Sequence, residues 1–203
     1  QIAVVDLAGH RIGTVAGTNS DYYLSQWLDA NRLTPDDVEI IALDPPSLVQ
    51  AFIQGDVDAM FAWEPHNYNA YSQLGDLAAS APTTLYEGRH SIIMDAQFTT
   101  SHQDEARLLL EGFRLAEEFI AEHPVEAKAI VAEATGVTPE VLEQLWSEYD
   151  FRIGLDDGLL AILQDEAEWI VASEGGEVPD LKSFIDAKAL GTIDPALVDS
   201  VYR

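Results

Sequence analysis

The sequence predicts an α/β protein with a parallel sheet in its first half and helices in its second half. Within residues 9–90, a strand-like segment followed by a helical pattern occurs three times. That order favours a parallel sheet with right-handed crossovers. Beyond residues 96–102 the segments are longer and carry the apolar period of helices, so this change marks the candidate boundary.

The first half is organised around one stretch that contains a turn, a short strand and the start of a helix. Gly55 ends the preceding helical pattern, as glycine commonly does at a helix C-terminus. Residues 57–62 are apolar and bounded by turn signals, which predicts a strand buried on both faces. Pro65 suits the first turn of a new helix and leaves Glu64 at or beside the N-cap. Trp63 is therefore predicted at the carboxyl end of a strand, where open α/β sheets bind ligands.

Two further strand–helix units precede that stretch. The strands are predicted over residues 11–16 and 38–43, and the following helices include Leu24 and Leu28 in the first unit and residues 47–54 in the second. Three loops follow the strands, at residues 17–20, 44–46 and 63–64. Because the carboxyl ends of parallel strands lie at the same edge of a sheet, these loops are expected to converge.

The second half is predicted to contain four helices after an extended segment at residues 90–96. The helices cover residues 103–122, a segment from Pro124 to Gly136, a segment from Thr138 through Trp146, and residues 155–173. In the third of these, Thr138 is predicted to cap the helix. Residues 181–185 and a short acidic, apolar tail follow. The first helix has a broad apolar stripe that includes Leu108, Leu109, Phe113 and Ile120.

Composition excludes several classes of partner. Asp and Glu number 36 against 10 Lys and Arg, which gives a net charge of −26. Such a surface repels nucleic acid and anionic lipid, so neither is expected to bind. No apolar run reaches the roughly 18 residues of a membrane-spanning helix, so no membrane insertion is expected. The absence of cysteine excludes disulfides and thiolate ligands.

Catalytic chemistry has little support in the sequence. The 5 histidines are scattered without the spacing of a metal site. No nucleophile-elbow sequence is present either. The protein is therefore predicted not to be an enzyme, with no catalytic residue, metal or cofactor.

Three stretches, taken in order, resemble the solute-binding proteins of ABC importers for nitrate, taurine, alkanesulfonates and thiamine-pyrimidine precursors. The first, DLAGHRIGTVAGTNSDYYL, is similar to that family's lead-in, strand and Gly-Ser/Thr loop. The second, VEIIALDPPSLVQAFIQGDVDAMFAWEP, is similar to its second strand, glycine-ended helix and Trp-Glu/Asp-Pro step. The third, EEFIAEHPVEAKAIVAEATGVTPEVLEQLWSEYDFRI, is similar to its C-terminal helices.

The resemblance implies a periplasmic-binding-protein type II-like fold, with one complete parallel α/β lobe and the helical C-terminal part of the other lobe. Residues 9–92 would form the second lobe, and residues 93–97 the crossover or hinge. Residues 97–203 would form the helical part of the first lobe. The family's N-terminal segment has no counterpart in this sequence. We therefore expect the chain to associate with itself or to be accompanied by a missing N-terminal segment.

The ligand-binding residues are predicted at the three converging loops: Thr18, Asn19, Ser20, Asp44, Trp63 and Glu64. The first three either bind an anionic group through N–H groups at a helix N-terminus or form an ordinary N-cap. Asp21 weakens the case for an anion, because a carboxylate already lies in that first turn. Trp63 either covers a ligand or belongs to the core. Glu64 either caps its helix or faces an amine or ring nitrogen of the ligand.

The leading hypothesis is a receptor that binds a small molecule between two lobes and presents it to an ABC permease. The resemblance implies a sulfonate, taurine, nitrate or pyrimidine-like ligand and a periplasmic or extracellular location, with or without a lipid anchor. A ligand-sensing domain of a larger regulatory protein is one alternative. A thiamine-pyrimidine synthase-like enzyme is another, but the enzymes of that group rely on lysine and cysteine. Residues 1–127 contain no lysine and the chain contains no cysteine, which disfavours this alternative.

Overall fold

The computed structural model describes residues 7–79 and 85–202, and the chain divides into two compact units between Gly88 and Arg89. The predicted boundary at residues 93–97 lies slightly further along the chain, and its role as a hinge stays a prediction. Residues 80–84 of the predicted second lobe lie outside the described residues.

The first unit alternates strands and helices along the chain. Its elements are β1 (Arg11–Thr14), α1 (Asn19–Ala30), β2 (Glu39–Ala42), α2 (Pro45–Gln54), β3 (Ala59–Met60) and α3 (His66–Leu74). The strands are parallel and lie in the order β2-β1-β3. In register, Arg11 pairs with Glu39 and Ile12 pairs with Ala59. The predicted parallel α/β architecture is confirmed.

The central strand β1 carries the core of this unit. Ile12 is fully buried and packs with Leu24 and Leu28 of α1. Helix α2 also packs directly on the strand backbone, because a Cβ added at Gly13 would lie 2.2 Å from Cδ1 of Leu48. Glycine is therefore required at this position for close approach of the helix and the sheet.

Each strand is shorter than predicted, and β3 shows the largest difference. It contains two half-buried residues in place of the fully buried strand predicted over residues 57–62. Val57 is buried but precedes the strand. Before β3, the Asp58 main-chain N–H donates to the Arg11 carbonyl oxygen at 2.8 Å, and Asp58 Oδ2 accepts the Arg11 main-chain N–H at 2.9 Å. The Arg11 N–H therefore has a side chain and not a main-chain carbonyl as its partner.

The helix ends of the first unit follow the predicted chemistry except at Pro65. Gly55 ends α2 with a left-handed φ of 77°, as predicted. Pro65 is the N-cap of α3 and not its first helical residue, and the peptide bond from Glu64 to Pro65 is cis. The Glu64 carboxylate accepts the Tyr68 N–H at 2.9 Å, so Glu64 caps the helix from the position beside the N-cap, as predicted.

The described part of the second unit is helical apart from an isolated bridge between Leu155 and Val198. Its helices are α4 (Ala96–Ser101), α5 (Gln103–Glu122), α6 (Pro124–Thr135), α7 (Pro139–Leu145), α8 (Gly158–Glu174) and α9 (Lys188–Ile193). The predicted bounds of α5 are confirmed, and Gly136 ends α6 with a left-handed φ of 71°. No helix among the described residues is both long enough and apolar enough to cross a membrane.

Several predictions for the second unit are wrong in detail. Helix α8 begins at Gly158 and not at Leu155, because Leu155 exchanges main-chain hydrogen bonds with Leu197 and Asp199. Helices α4 and α9 were not predicted, and α4 begins inside the segment predicted to be extended. Thr138 is the N-cap of α7, but its side chain makes no capping hydrogen bond.

Candidate functional site

A cleft of about 180 Å³ opens at the carboxyl ends of β1 and β3 in the first unit. It is lined by Asn19, Ser20, Tyr23, Ala62, Trp63, Asn67 and Tyr86. Three of the predicted ligand-binding residues, Asn19, Ser20 and Trp63, therefore lie together. The other three, Thr18, Asp44 and Glu64, do not line this cleft.

Thr18 positions the start of α1. It is the N-cap in extended conformation, and its Oγ1 accepts the Ser20 N–H at 3.2 Å. The same hydroxyl donates to the Val15 carbonyl oxygen at 2.6 Å. Asp21 closes the loop from the helix side, because its carboxylate accepts the Gly17 N–H at 3.1 Å. Thr18 therefore acts as an ordinary N-cap, while the next two residues face the cleft.

Ser20 is a largely buried residue of the cleft. It is only 4% exposed, and its hydroxyl makes no hydrogen bond to another described residue. Its Oγ is not among the buried side-chain atoms without a partner, so the hydroxyl is accessible from the cleft. At the N-terminus of a 12-residue helix, this hydroxyl is available to a ligand oxygen.

Trp63 forms another wall of the cleft. Its side chain is 37% exposed, so the ring lies at the surface and not in the core. It contacts the His66 ring edge-on, with centroids 5.7 Å apart. Asn67 lies one helical turn further and donates through Nδ2 to the Ala62 carbonyl oxygen at 2.8 Å, which holds the start of α3 against the end of the third strand.

Two tyrosines of the cleft were not predicted. The Tyr23 and Tyr86 rings lie 6.4 Å apart between centroids, and Tyr86 also contacts the buried Tyr22 edge-on at 5.3 Å. Tyr23 could have been found from spacing, because it lies three positions after Ser20 and hence on the same side of α1. Tyr86 follows no strand or helix pattern in the sequence, so no local signal identifies it.

Asp44 lies outside the cleft and has a structural role at the start of α2. It caps α2, accepting the Ser47 N–H at 3.1 Å and the Ser47 hydroxyl at 2.7 Å. These bonds, the hydroxyl first, lower the pKa of Asp44. A groove of about 510 Å³ lies nearby, lined by Ile41, Leu43, Pro46, Ser47, Gln50, Ala51, Gln54, Asp56 and Val57. Its polar residues are all exposed.

The chemistry of the cleft is that of binding. It presents a hydroxyl, amides and aromatic rings, and none of its lining side chains is charged. Within residues 7–79 and 85–202, no group of three or more His, Cys, Asp or Glu residues is placed to hold a metal ion. The arrangement can therefore contact a small ligand through hydrogen bonds and ring faces.

Comparisons with known proteins agree with this interpretation. A taurine-binding periplasmic protein of Escherichia coli (strain K12) is 35% identical over 60 residues, which is 30% of this chain and 19% of that protein. A Bacillus subtilis (strain 168) protein, whose name assigns it to aliphatic sulfonate binding, is 29% identical over 144 residues, which is 70% of this chain and 43% of that protein. The chain thus spans less than half the length of these relatives.

Solved structures share the fold. The periplasmic aliphatic sulphonate binding protein SsuA from Escherichia coli superposes with a TM-score of 0.69 at 18% identity, over 91% of this chain and 64% of that one. The sequence model described as NMT1/THI5 like matches residues 3–127, which is more than half of the chain. The chain therefore belongs to the NMT1/THI5-like family.

Proposed function

We propose that the protein is the solute-binding receptor of an ABC importer, located in the periplasm or at the outer face of the cell membrane. The cleft of the first unit holds one end of a small organic sulfonate, which the receptor delivers to a permease. The relatives whose names describe a ligand bind taurine or aliphatic sulfonates, and none is named as an enzyme.

One observation carries this proposal: Ser20, whose hydroxyl makes no hydrogen bond to another described residue, lines the cleft at the N-terminus of α1. A sulfonate oxygen accepts hydrogen bonds, and the positive end of a helix dipole favours its charge. Trp63 supplies an apolar ring beside this donor, which suits the carbon chain of an alkanesulfonate.

Isothermal titration calorimetry with taurine and ethanesulfonate tests the proposal. We expect Trp63→Ala to weaken binding by about tenfold or more, since an aromatic ring contributes on the order of 1–2 kcal/mol of ligand contact. Ser20→Ala should have a smaller effect, because it removes a single hydroxyl donor. Stability should change little for Trp63→Ala, since the ring lies outside the core.

Ser25→Ala provides the matched control. Ser25 lies on the same helix, but its hydroxyl donates to the Tyr22 carbonyl oxygen and it does not line the cleft. This variant should bind sulfonates as the parent does. Equal affinity of Trp63→Ala and the parent, or the absence of binding to every sulfonate tested, would contradict the proposed function.

A further inference from the structure

We propose that the edge of β2, together with the larger groove beside α2, is a docking surface for an extended, positively charged segment of a partner protein. This surface lies in the first unit and shares no lining residue with the cleft, so the inference does not depend on the small ligand. Three features support it: main-chain groups at the edge of the sheet, an apolar groove beside them, and an excess of carboxylates around both.

The outer edge of β2 has main-chain groups that no described residue bonds. The strand lies at one end of the sheet, with β1 as its described neighbour. The N–H groups of Glu39 and Leu43 donate to carbonyl oxygens of the segment that contains β1, at 2.9 Å and 3.0 Å. Because alternate residues of a strand direct their main-chain groups to opposite sides, those of Ile40 and Ala42 point away from β1. Such an edge can accept an added strand.

The groove of about 510 Å³ lies beside this edge, on the face of the sheet that α2 covers. Ile41 pairs in register with Gly13, whose α2-facing side is covered by Leu48, so Ile41 points to the same face. Together with Leu43 and Ala51, Ile41 lines the groove with apolar side chains. All three are only half-buried, so the groove presents apolar surface to a ligand.

The dimensions of the groove suit a short extended peptide. Along α2 it is lined from Pro46 to Gln54, a length of about 12 Å at 1.5 Å per residue. Four residues of an added strand would span about 13 Å. Every second side chain of that strand would enter the groove while its main chain pairs with β2. On the other face of the sheet, Ile40 is 40% exposed and offers an apolar contact to the remaining side chains.

Carboxylates surround this surface. Residues 33–57 contain no Lys or Arg, and their acidic residues, all exposed, are Asp36, Asp37, Glu39, Asp44 and Asp56. Asp56 lines the groove, Glu39 begins β2, and Asp44 is the N-cap of α2. These charges favour lysine or arginine at the polar positions of an added strand.

The arginines of the first unit do not balance these carboxylates. Within residues 7–79 and 85–88, the Lys and Arg residues are Arg11 and Arg32. Arg11 pairs in register with Glu39, but its guanidinium donates to the further carboxylate of Asp58 and to the Gly55 carbonyl oxygen. Arg32 follows α1, which packs on the opposite face of the sheet from α2. The surface therefore keeps an excess of negative charge.

The same charge disfavours a second copy of this chain as the occupant of the edge. Two copies paired through β2 would bring the same carboxylates together, in chains that each carry a net charge of −26. Like charges placed face to face oppose association. A partner of opposite charge is therefore favoured over self-association at this edge.

A short peptide of alternating lysine and valine is the probe, and a peptide of alternating glutamate and valine is its matched control. Both suit an added strand, and they differ in the sign of their charge. Fluorescence anisotropy with the whole protein at low salt should show the lysine peptide binding at least about tenfold more tightly. Equal binding of the two peptides, or no binding of the lysine peptide, overturns the inference. Either result leaves the proposed function intact, because sulfonate titration tests that function separately.

A pair of arginine substitutions locates the binding surface. Gln50→Arg combined with Gln54→Arg places positive charges on the α2 wall of the groove, where both glutamines are exposed. This variant should bind the lysine peptide about tenfold or more weakly than the parent does. Gln103→Arg combined with Gln164→Arg is the control in the second unit, because it changes the net charge equally at exposed positions. Equal losses in the two variants, both folded by circular dichroism, would show attraction to the overall charge alone and overturn the inference.

Hydrogen exchange measured by NMR tests the main-chain pairing directly. In the free protein, the Ile40 and Ala42 N–H groups should exchange rapidly, because no described residue accepts a hydrogen bond from them. Saturating lysine peptide should slow both by at least about tenfold. The Leu43 N–H, which donates to the Thr14 carbonyl oxygen, is the internal reference. Peptide binding without slower exchange at Ile40 and Ala42 would overturn the assignment to this edge.

Light scattering with and without the lysine peptide tests the choice of partner. The association state of the protein should be the same in both, because no second copy is expected at the edge of β2. A dimer that the peptide dissociates would show that a second copy occupies this edge, and it would overturn the proposal of a basic partner.

Discussion

The two units of the chain differ in how completely their apolar side chains are buried. In the first unit, Leu24 and Leu48 are at most 1% exposed and pack around the central strand. In the second unit, Leu108 and Phe113 of α5 are 59% and 47% exposed, although the helix has a well-defined apolar stripe. Its neighbours Leu109 and Leu115 are also about half exposed.

This difference shows what an apolar pattern can and cannot specify. A strand at the centre of a sheet has its partners close in the same unit, so its side chains are covered by the elements that follow it in sequence. An amphipathic helix specifies the face that avoids water but not the surface that covers it. Paired substitutions in the two units can therefore test the comparison directly.

Truncating a leucine to alanine is expected to give the largest difference in stability loss between the two units. Leu24→Ala should lower the free energy of unfolding by about 2–5 kcal/mol, because it leaves a cavity in the core of the first unit. Leu108→Ala should change it by less than about 0.5 kcal/mol, because the side chain is already exposed. Urea unfolding of both variants measures the two values. A large loss for Leu108→Ala would show that its face is covered in solution.

Replacing a glycine by alanine is expected to give the next largest difference in stability change between the two units. Gly13→Ala should destabilise the protein by about 1–3 kcal/mol, because its new Cβ would clash with Leu48. Gly112→Ala should stabilise it by about 0.5–1 kcal/mol, because this site in α5 is open and alanine favours the helix. Thermal unfolding of the two variants should give shifts of opposite sign; an unchanged or raised melting temperature for Gly13→Ala would contradict the packing described for β1.

Replacing the N-cap residue of a helix by alanine is expected to give a smaller difference in stability loss. Asp44→Ala should cost about 1 kcal/mol, because it removes the bond to the Ser47 N–H at the start of α2. Thr138→Ala should have almost no effect on capping, because that side chain makes no capping bond at α7. Denaturant midpoints of the two variants provide the measurement. Equal losses would show that the Thr138 hydroxyl bonds the helix in solution.

The smallest difference is expected in the pH dependence of stability that two carboxylates of similar pKa contribute, one in each unit. Hydrogen bonds from Arg11 lower the pKa of Asp58 to about 2, and hydrogen bonds from Arg152 lower the pKa of Asp150 to about 2. A lowered folded-state pKa adds stability above the ordinary value near 3.8, and this stability is lost as the pH falls towards 2. All four side chains are at least about a third exposed, so both effects are modest.

The two pairs should nonetheless differ. Asp58 joins segments 47 residues apart, whereas Asp150 pairs two residues along the chain and can keep its partner after unfolding. Asp58→Asn should therefore reduce the pH dependence of stability between pH 4 and 2 more than Asp150→Asn does. Unfolding measured at several pH values gives both slopes, and a larger change for Asp150→Asn would contradict the expectation.

The fold was predictable to the extent that its signals are local. Gly55 and Gly136 end helices where predicted, because only a residue that tolerates a left-handed φ suits that position. The ends of β3 and α8 were not predictable, since Asp58 and Leu155 take partners from distant parts of their units. A hydrogen bond between distant residues leaves no pattern in the sequence near either one.

The residues of the candidate site were predictable only where the order of the strands brings their loops together. Ser20 and Trp63 follow strands, and strand order alone brings their loops together in a parallel sheet. Asp44 also follows a strand, but the structure places it at the start of α2, with Ser47 as its partner. Its strand, β2, lies on the other side of β1 from β3, so its loop does not reach the cleft. Tyr86, which also lines the cleft, follows the three strand–helix units in the sequence.

The central position of β1 also has a consequence for the order of folding. Its first neighbour begins at Glu39 and its second at Ala59, so β1 pairs with two strands that follow it in the sequence. During synthesis, this strand leaves the ribosome without a partner, and the sheet cannot close until the segment around Ala59 follows. Such non-local pairing slows folding because the intervening chain must first be closed into a loop. The helices α5 and α6 are adjacent in sequence and contact one another, so they are expected to form on a shorter timescale than the sheet.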